Sequence, residues 1–327
     1  MATSRISLYL QAFWVRCVTG LFSIIDRYMV QPKPPQFSFK IKIPSTASCQ
    51  NGSIPLLFYC PLNTTISDAI RPVIINLHGG GWIFGSPQMD SRWAARVVEK
   101  GFVLVSVGYR LAPQYSYPTP IKDCVDAIKW IYKHAEEYNL DKDKISLSGF
   151  SAGGNMVFAA AMMLHKQVPN AIKLATIVSF YPLLDRTQPR EEKYKKNPIA
   201  AEKVSTPRSW DKLFVDCYIG SGSVDLSSPY LSPGLASDDI LRDALPKRIT
   251  IFTCSWDALL EEGEVFRKRL LNLGKVVGGT KIEAVNHAFD RIPGRKGHPE
   301  MNKMYSEALD SLNNVFSSIP GESHQGK

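Results

Sequence analysis

The stretch Lys144–Asn155, KISLSGFSAGGN, decides how this chain is read. It starts as a short apolar strand, turns sharply through Gly149-Phe150-Ser151-Ala152-Gly153, and continues as a helix. G-x-S-x-G at a strand-to-helix junction is the pattern of a nucleophile elbow. Such a turn lifts the serine hydroxyl above a sheet. Glycines flank it because a Cβ at either place would strike the adjoining strand and helix. Ser151 also stands at a helix N-terminus, where free N–H groups and the dipole favour developing negative charge. A glycine-rich turn at the start of an ordinary helix has the same local pattern, so the rest of the chain must decide.

At 327 residues, 44% of them hydrophobic, the chain suits one large α/β domain, with or without a modest insertion. Its net charge is +9. The basic residues are scattered apart from clusters such as Arg190 to Lys196, and no aromatic-interleaved basic stripe accompanies them. With no nucleic-acid motif beside them, they read as a solvated surface with a weak attraction to anionic surfaces, and no nucleic-acid partner is expected. The six cysteines, Cys17, Cys49, Cys60, Cys124, Cys217 and Cys254, form no C-x-x-C pair and no zinc-type spacing with histidine. Buried free thiols in a reducing compartment are the expectation. Sequons at Asn51 and Asn63 matter only in a secreted chain.

Ile6 to Val30 is apolar but interrupted by Arg16, Asp26 and Arg27, so it lacks the long charge-free run of a spanning helix. A signal peptide and a membrane-surface helix are alternatives. The preferred reading is an amphipathic helix packed over the active site as part of a lid. Pro32, Pro34 and Pro35 end it. Strands follow at 37–43 and 54–60 around the turn at Gln50 to Ser53, an antiparallel start, then at 73–77, 102–107, 144–148 and 174–181. Helices are expected at about Asp90 to Lys100, with Asp90 or Ser91 as N-cap, then ending near Tyr138, and from Ala152 to His165. Strands alternating with helices give a largely parallel sheet covered on both faces. The pattern lapses from Asp185 to about Pro246, apart from a helix near Trp210 to Tyr218. A lid fits an insertion of that length. Strands at 248–254 and 281–285 and helices at 258–273 and 300–316 complete the domain, and the tail to Lys327 reads as disordered.

A serine hydroxyl needs a base, and the base needs an acid to hold its tautomer. Of the six histidines, His134 and His165 fall on helices, His298 and His324 lie near the C-terminus, and His78 belongs to a glycine loop. His287, just beyond the last strand, is the candidate base. Asp257, in Ser255-Trp256-Asp257-Ala258-Leu259 after the 248–254 strand, is the candidate acid, with Asp185 as runner-up. The order Ser151, Asp257, His287 is that of α/β-hydrolases. Asp290 is read as an ion-pairing residue, and Glu261 and Glu262 as a solvated helix face. His78-Gly79-Gly80-Gly81 after a strand supplies backbone N–H groups for an oxyanion hole, with the Ala152 N–H as a further donor.

At this point the chain resembles the hormone-sensitive-lipase-like branch of the α/β-hydrolase fold superfamily. The residues responsible are HGGGW at 78–82, YRLAP at 109–113, GFSAGG at 149–154, SWDALL at 255–260 and NHAF at 286–289. The resemblance implies a mostly parallel eight-stranded sheet with helices on both faces and a helical cap. The core would comprise residues 46–185 and 246–320, and the cap 1–45 and 186–245. It implies Ser151 as nucleophile, His287 as base, Asp257 as acid, and Gly80, Gly81 and Ala152 as oxyanion donors. Gly79, His78, Arg110 and Asp123 would be structural supports. Two positions depart from the family pattern: Ala258 where proline is common after the acid, and Gln114 where glutamate is common after YRLAP.

The expected activity is that of a serine carboxylesterase on short- to medium-chain acyl or acetyl esters, with no metal or organic cofactor. An amidase or deacetylase, a tailoring hydrolase of a secondary metabolite, and a non-catalytic small-molecule binder are the alternatives. The small-molecule ester is the expected partner. Weak membrane association through residues 6–30 and a homodimer are further expectations. A cytoplasmic location is expected, with membrane attachment as the alternative.

Overall fold

The computed structural model describes residues 5–29, 33–47, 52–61, 69–203, 208–220, 223–291 and 298–319. Cys49, the sequon asparagines Asn51 and Asn63, part of the 50–53 turn, His324 and the C-terminal tail lie outside them. The strands are β1 (Phe39–Pro44), β2 (Ser53–Tyr59), β3 (Arg71–Leu77), β4 (Val103–Val107), β5 (Leu140–Phe150), β6 (Thr176–Phe180), β7 (Arg248–Trp256), β8 (Val276–Gly278) and β9 (Lys281–Asn286). The helices are α1 (Arg5–Met29), α2 (Ser91–Glu99), α3 (Thr119–Lys133), α4 (Ala152–Gln167), α5 (Arg190–Lys196), α6 (Pro198–Glu202), α7 (Arg208–Ile219), α8 (Asp238–Ala244), α9 (Leu260–Asn272) and α10 (Pro299–Ser318).

The strands form one sheet in the order β1-β2-β4-β3-β5-β6-β7-β8, with β9 also paired to β7. β1 and β2 are antiparallel, as are β2 and β4. Every later pairing is parallel. All eight expected strands are present, and the three-residue β8 adds a ninth. β8 runs beside the start of β7 and β9 beside its end. Between them Gly279 takes φ +83°, and a Cβ there would lie 2.3 Å from the Ile251 carbonyl oxygen. The edge therefore breaks where only glycine lets the two backbones approach.

β4 and β6 are buried along their whole length, as strands covered on both faces must be. One apolar layer joins Val73, Ile75, Leu77 and Leu147 to Ile121 and Val125 of α3 and Met156 and Phe158 of α4. The opposite layer joins Ile74, Leu104, Val178 and Phe252 to Trp93 of α2 and Tyr305 and Leu309 of α10. The alternation Val73/Ile74/Ile75 is the two-residue period of a strand that divides its side chains between layers. β1 belongs to this sheet and buries Ile43. The core thus begins before residue 46, a correction to the boundary expected from sequence.

Asp90 is the N-cap residue of α2, as the sequence leads us to expect. Its side chain makes no cap bond. Its buried carboxylate instead accepts from Asn76 Nδ2 at 2.6 Å and pairs with Arg291 Nη1 at 2.7 Å. α1 is long and apolar enough to cross a membrane by length and composition alone. Its inner side packs on α7, and Arg16 donates to the carbonyls of Ile83 and Ala112, both at 2.7 Å.

Loops leave the carboxyl ends of β3, β5, β6, β7 and β9 along one edge of the sheet, where open α/β sheets bind ligands. A buried pair pins the neighbouring chain. Asp123 accepts from Arg110 Nη2 at 2.7 Å, from Arg110 Nε at 2.9 Å and from Ser45 Oγ at 2.7 Å. The Asp123 side chain is fully buried and that of Arg110 is 8% exposed. Substituting Asp123→Ala would remove the carboxylate that faces the largely buried guanidinium. The expected cost is about 3–5 kcal/mol, read as a lowered urea midpoint at unchanged m-value.

Candidate active site

β5 delivers Ser151 and α4 carries the chain away. Ser151 holds φ +55° and ψ −113°, a conformation a side-chain-bearing residue adopts only under constraint. The constraint is visible in the glycines around it. A Cβ on Gly149 would lie 2.4 Å from the Gly153 carbonyl oxygen, and one on Gly153 would lie 1.9 Å from that of Leu77. No side chain fits at either place. The Ser151 N–H donates to the Phe180 carbonyl at 2.9 Å, tying the turn to β6.

Ser151 Oγ stands 2.8 Å from His287 Nε2. His287 Nδ1 stands 2.6 Å from Asp257 Oδ2. The Asp257 side chain is 1% exposed and its Oδ1 accepts the Leu259 N–H at 3.0 Å. Burial opposes ionisation of Asp257, yet His287, Arg190 and the Leu259 N–H together hold its carboxyl below the usual aspartate value. An ionised carboxylate only accepts, so Nδ1–H donates to it, which leaves the Nε2 lone pair facing the serine hydroxyl. The three residues chosen from chain order thus meet in one hydrogen-bonded line. Asp185, the runner-up acid, spends its carboxylate on Thr187 and Gln188 instead.

The glycine loop runs beside the serine. A Cβ on Gly79 would be 3.0 Å from the Phe150 carbonyl oxygen and 3.6 Å from Ser151 Cβ. Gly80 takes φ +114° and Gly81 φ +56°. The Gly80 carbonyl accepts from the N–H groups of Ile83 and Phe84, each at 3.1 Å, which curls the loop. Among the described residues, the N–H groups of Gly80, Gly81 and Ala152 donate to no protein acceptor. The ring of Phe214, from α7, lies 2.5 Å from where a Gly81 Cβ would sit. Trp82 stacks on Tyr218 of α7 with ring centroids 4.3 Å apart.

Several residues that hold the site carry no sequence signal. Arg291 pairs with Asp90 and Asp290, donates to the Met89 carbonyl at 2.7 Å, and lies 3.9 Å from the Phe150 ring centroid. Asp290 accepts from Tyr181 at 2.5 Å and Tyr305 at 2.7 Å. The Tyr181 ring meets His287 edge-on at 5.0 Å. Asn197 donates to the carbonyls of Ser255 and Asp257, both at 2.9 Å, and so braces the acid loop. Glu262, expected on a solvated face, is corrected: it is mostly buried, pairs with Lys193 of α5 and accepts the Leu184 N–H. Glu261 is exposed as expected.

His78 is a support, away from the proton line. Its Nδ1–H donates to the Gly79 carbonyl at 2.7 Å, its ring stacks on Tyr109 at 4.1 Å, and the Tyr109 hydroxyl donates to the His78 carbonyl at 2.7 Å. Burial, with Arg291 nearby, lowers its pKa from the ordinary 6.5 to about 4. Between those values the unfolded chain binds a proton that the folded chain refuses. Stability contributed by the neutral ring is therefore complete above pH 6.5 and is lost as pH falls toward 4. The expected loss is on the order of 3 kcal/mol, and His78→Gln should flatten this part of the stability–pH curve measured by urea unfolding.

The chain's residues 74–291 match the family model described as alpha/beta hydrolase fold. It is 32% identical over 244 residues to an arylesterase of Saccharolobus solfataricus, covering 73% of this chain and 74% of that one. It is 28% identical over 332 residues to arylacetamide deacetylase of Mus musculus, covering 84% and 81%. A fungal esterase structure from Rhizomucor miehei superposes with a TM-score of 0.81 at 26% identity, covering 94% of this chain and 91% of that one. A thermostable esterase of Pseudomonas putida shares the fold at a TM-score of 0.79 and 24% identity. With its two-sided parallel sheet, its serine turn and these likenesses, the chain belongs to the hormone-sensitive-lipase-like family of α/β hydrolases and is an esterase-type hydrolase.

Proposed function

We propose that the protein is a serine carboxylesterase that cleaves short- to medium-chain acyl or acetyl esters through an acyl-enzyme. The observation that carries this reading is the hydrogen-bonded line from Ser151 Oγ through His287 to Asp257, set beside a glycine loop. In this mechanism His287 Nε2 takes the Ser151 proton as Oγ attacks the ester carbonyl. Asp257 keeps the imidazole in the needed tautomer and stabilises the imidazolium. The N–H groups of Gly80, Gly81 and Ala152 receive the developing oxyanion, at about 3 kcal/mol for one donor. His287 then protonates the leaving alcohol, and later activates the water that releases the acid.

The residues before β1, together with 186–245, act in this reading as a cap. Its α7 sets Phe214 against Gly81 and joins Trp210 and Phe84 in an aromatic cluster. An apolar acyl or aryl group suits such a lining, and the close ring favours short acyl chains. The likeness to arylacetamide deacetylase supports a second reading, cleavage of an acetylated aryl amine. Amide cleavage uses the same first step but asks more of His287 as acid, because an amine leaves less readily than an alcohol.

A p-nitrophenyl ester series from acetate to long chains, run beside p-nitroacetanilide, tests both. Ser151→Ala and His287→Ala should each lower kcat by about 10⁶-fold, and Asp257→Asn by about 10⁴-fold. Fluorophosphonate labelling should vanish in Ser151→Ala. A folded wild type that neither turns over any member of the series nor takes the label would overturn the esterase reading. In the same series Phe214→Ala should move the preferred acyl length upward, seen as a shifted kcat/KM maximum with acetate turnover retained.

A further inference from the structure

α1 has two apolar faces, and the protein covers only one. Ala12 and Val15 are buried, Arg16 is bound to the loops at Ile83 and Ala112, and Asp26 pairs with Arg92 at 2.9 Å. On the opposite side Leu10, Phe13, Trp14, Leu21, Ile24 and Tyr28 stand at least 57% exposed. Their spacing of one, three, four and seven residues is that of a single helical stripe. The two charged side chains in the body of the helix whose partners are known, Arg16 and Asp26, both point away from the stripe. Most of the large exposed hydrophobic side chains of the described protein are on this one helix. An unbroken stripe the length of a 25-residue helix, about 37 Å, is far longer than the scattered apolar residues of an ordinary surface.

We propose that this face docks α1 flat on an anionic lipid surface, parallel to it and without crossing it. Three observations select that occupant. The chain carries a net charge of +9, with Arg5 in the first turn of α1 and Lys33 just past its end, so a negatively charged surface attracts it while a second copy repels it. Trp14 and Tyr28 are the aromatic types that settle at the interface between headgroup and hydrocarbon. A spanning orientation would tear Arg16 from Ile83, Ala112 and Gln114 and leave its guanidinium near the middle of the hydrocarbon. Lying in the plane keeps every one of those bonds and buries only the uncovered face.

The test is co-flotation of the full chain with phosphatidylcholine vesicles, with and without phosphatidylserine. Flotation with the anionic vesicles, weakened by salt, is expected. So is quenching of tryptophan fluorescence by brominated lipid that disappears in Trp14→Phe. Phe13→Glu with Leu21→Glu should lower binding by more than about tenfold. Their urea midpoint and p-nitrophenyl acetate hydrolysis in solution should stay unchanged. The proposal is overturned by any of four results: no binding to either vesicle, retention in cell membranes after an alkaline carbonate wash, a native protein that begins beyond α1, or a dimer that the paired glutamate substitutions dissociate. These readouts are independent of the esterase reading.

Discussion

The closest constraint in the molecule is the contact between α4 and β3. Gly153 lies so near the Leu77 carbonyl that a methyl group would overlap it at 1.9 Å. That approach fixes where α4 begins, and therefore forces the preceding residue into the left-handed region. Ser151 accepts φ +55°, a strain of about 1–3 kcal/mol that persists because the surrounding packing over-determines it. The result is a hydroxyl held clear of both strand and helix, 2.8 Å from His287. The same glycine contact sets the serine against the loop that leaves β3, since Leu77 and His78 are the last residues before Gly79.

The serine is rigid because it sits between two regular elements, but His287 rides on a loop. Its fixity comes from charge buried beneath it. Arg291 is sandwiched between Asp90 and Asp290, with the Phe150 ring against its face. Burial opposes its charge, yet the two carboxylates raise its pKa well above the ordinary arginine value, so it stays ionised. Tyr181 and Tyr305 fill the remaining acceptors of Asp290. A buried charged network of this kind stiffens its neighbourhood more than it stabilises the fold, because desolvation offsets most of the attraction. Since it joins the start of α2, the end of β6, α10 and the 287–291 loop, it sets the height of His287 against Ser151.

Sequence showed those parts whose signal is local. The elbow needs glycines at fixed offsets, and the alternation of apolar strands with helices needs only a period, so Gly149, Gly153 and all eight expected strands were legible. Ser151, Asp257 and His287 could be picked from chain order, and the structure brings them into line. What stayed hidden depends on partners far away in the chain. Glu262 looks solvent-facing by helix period, but Lys193 of α5 folds over it. Asp90 does cap α2, but its side chain makes no cap bond, because Arg291 from two hundred residues downstream pairs with its carboxylate. Asn197 lies in an irregular insertion with no pattern that marks it as the brace of the acid loop. β8 escaped because three residues are too few to show a period.

The insertion between β6 and β7 and the helix α1 meet the core in different ways. α5 and α6 are nailed to it by polar groups, with Lys193 on Glu262 and the Asp185 carbonyl, and Asn197 on the acid loop. α7 instead meets the glycine loop through rings, Phe214 at Gly81 and Tyr218 on Trp82. Ring contacts slide at little cost, whereas a buried ion pair must be broken outright. α7 is also tied at both ends, by Asp211 to Arg186 and Arg190 and by the Tyr117 N–H to the Tyr218 carbonyl. α1 meets α7 from the other side, since Arg16 holds the backbone at Ile83 while Leu8 and Cys217 bring α1 against α7. Whatever covers the outer face of α1 therefore lies one helix away from the rings that wall the glycine loop.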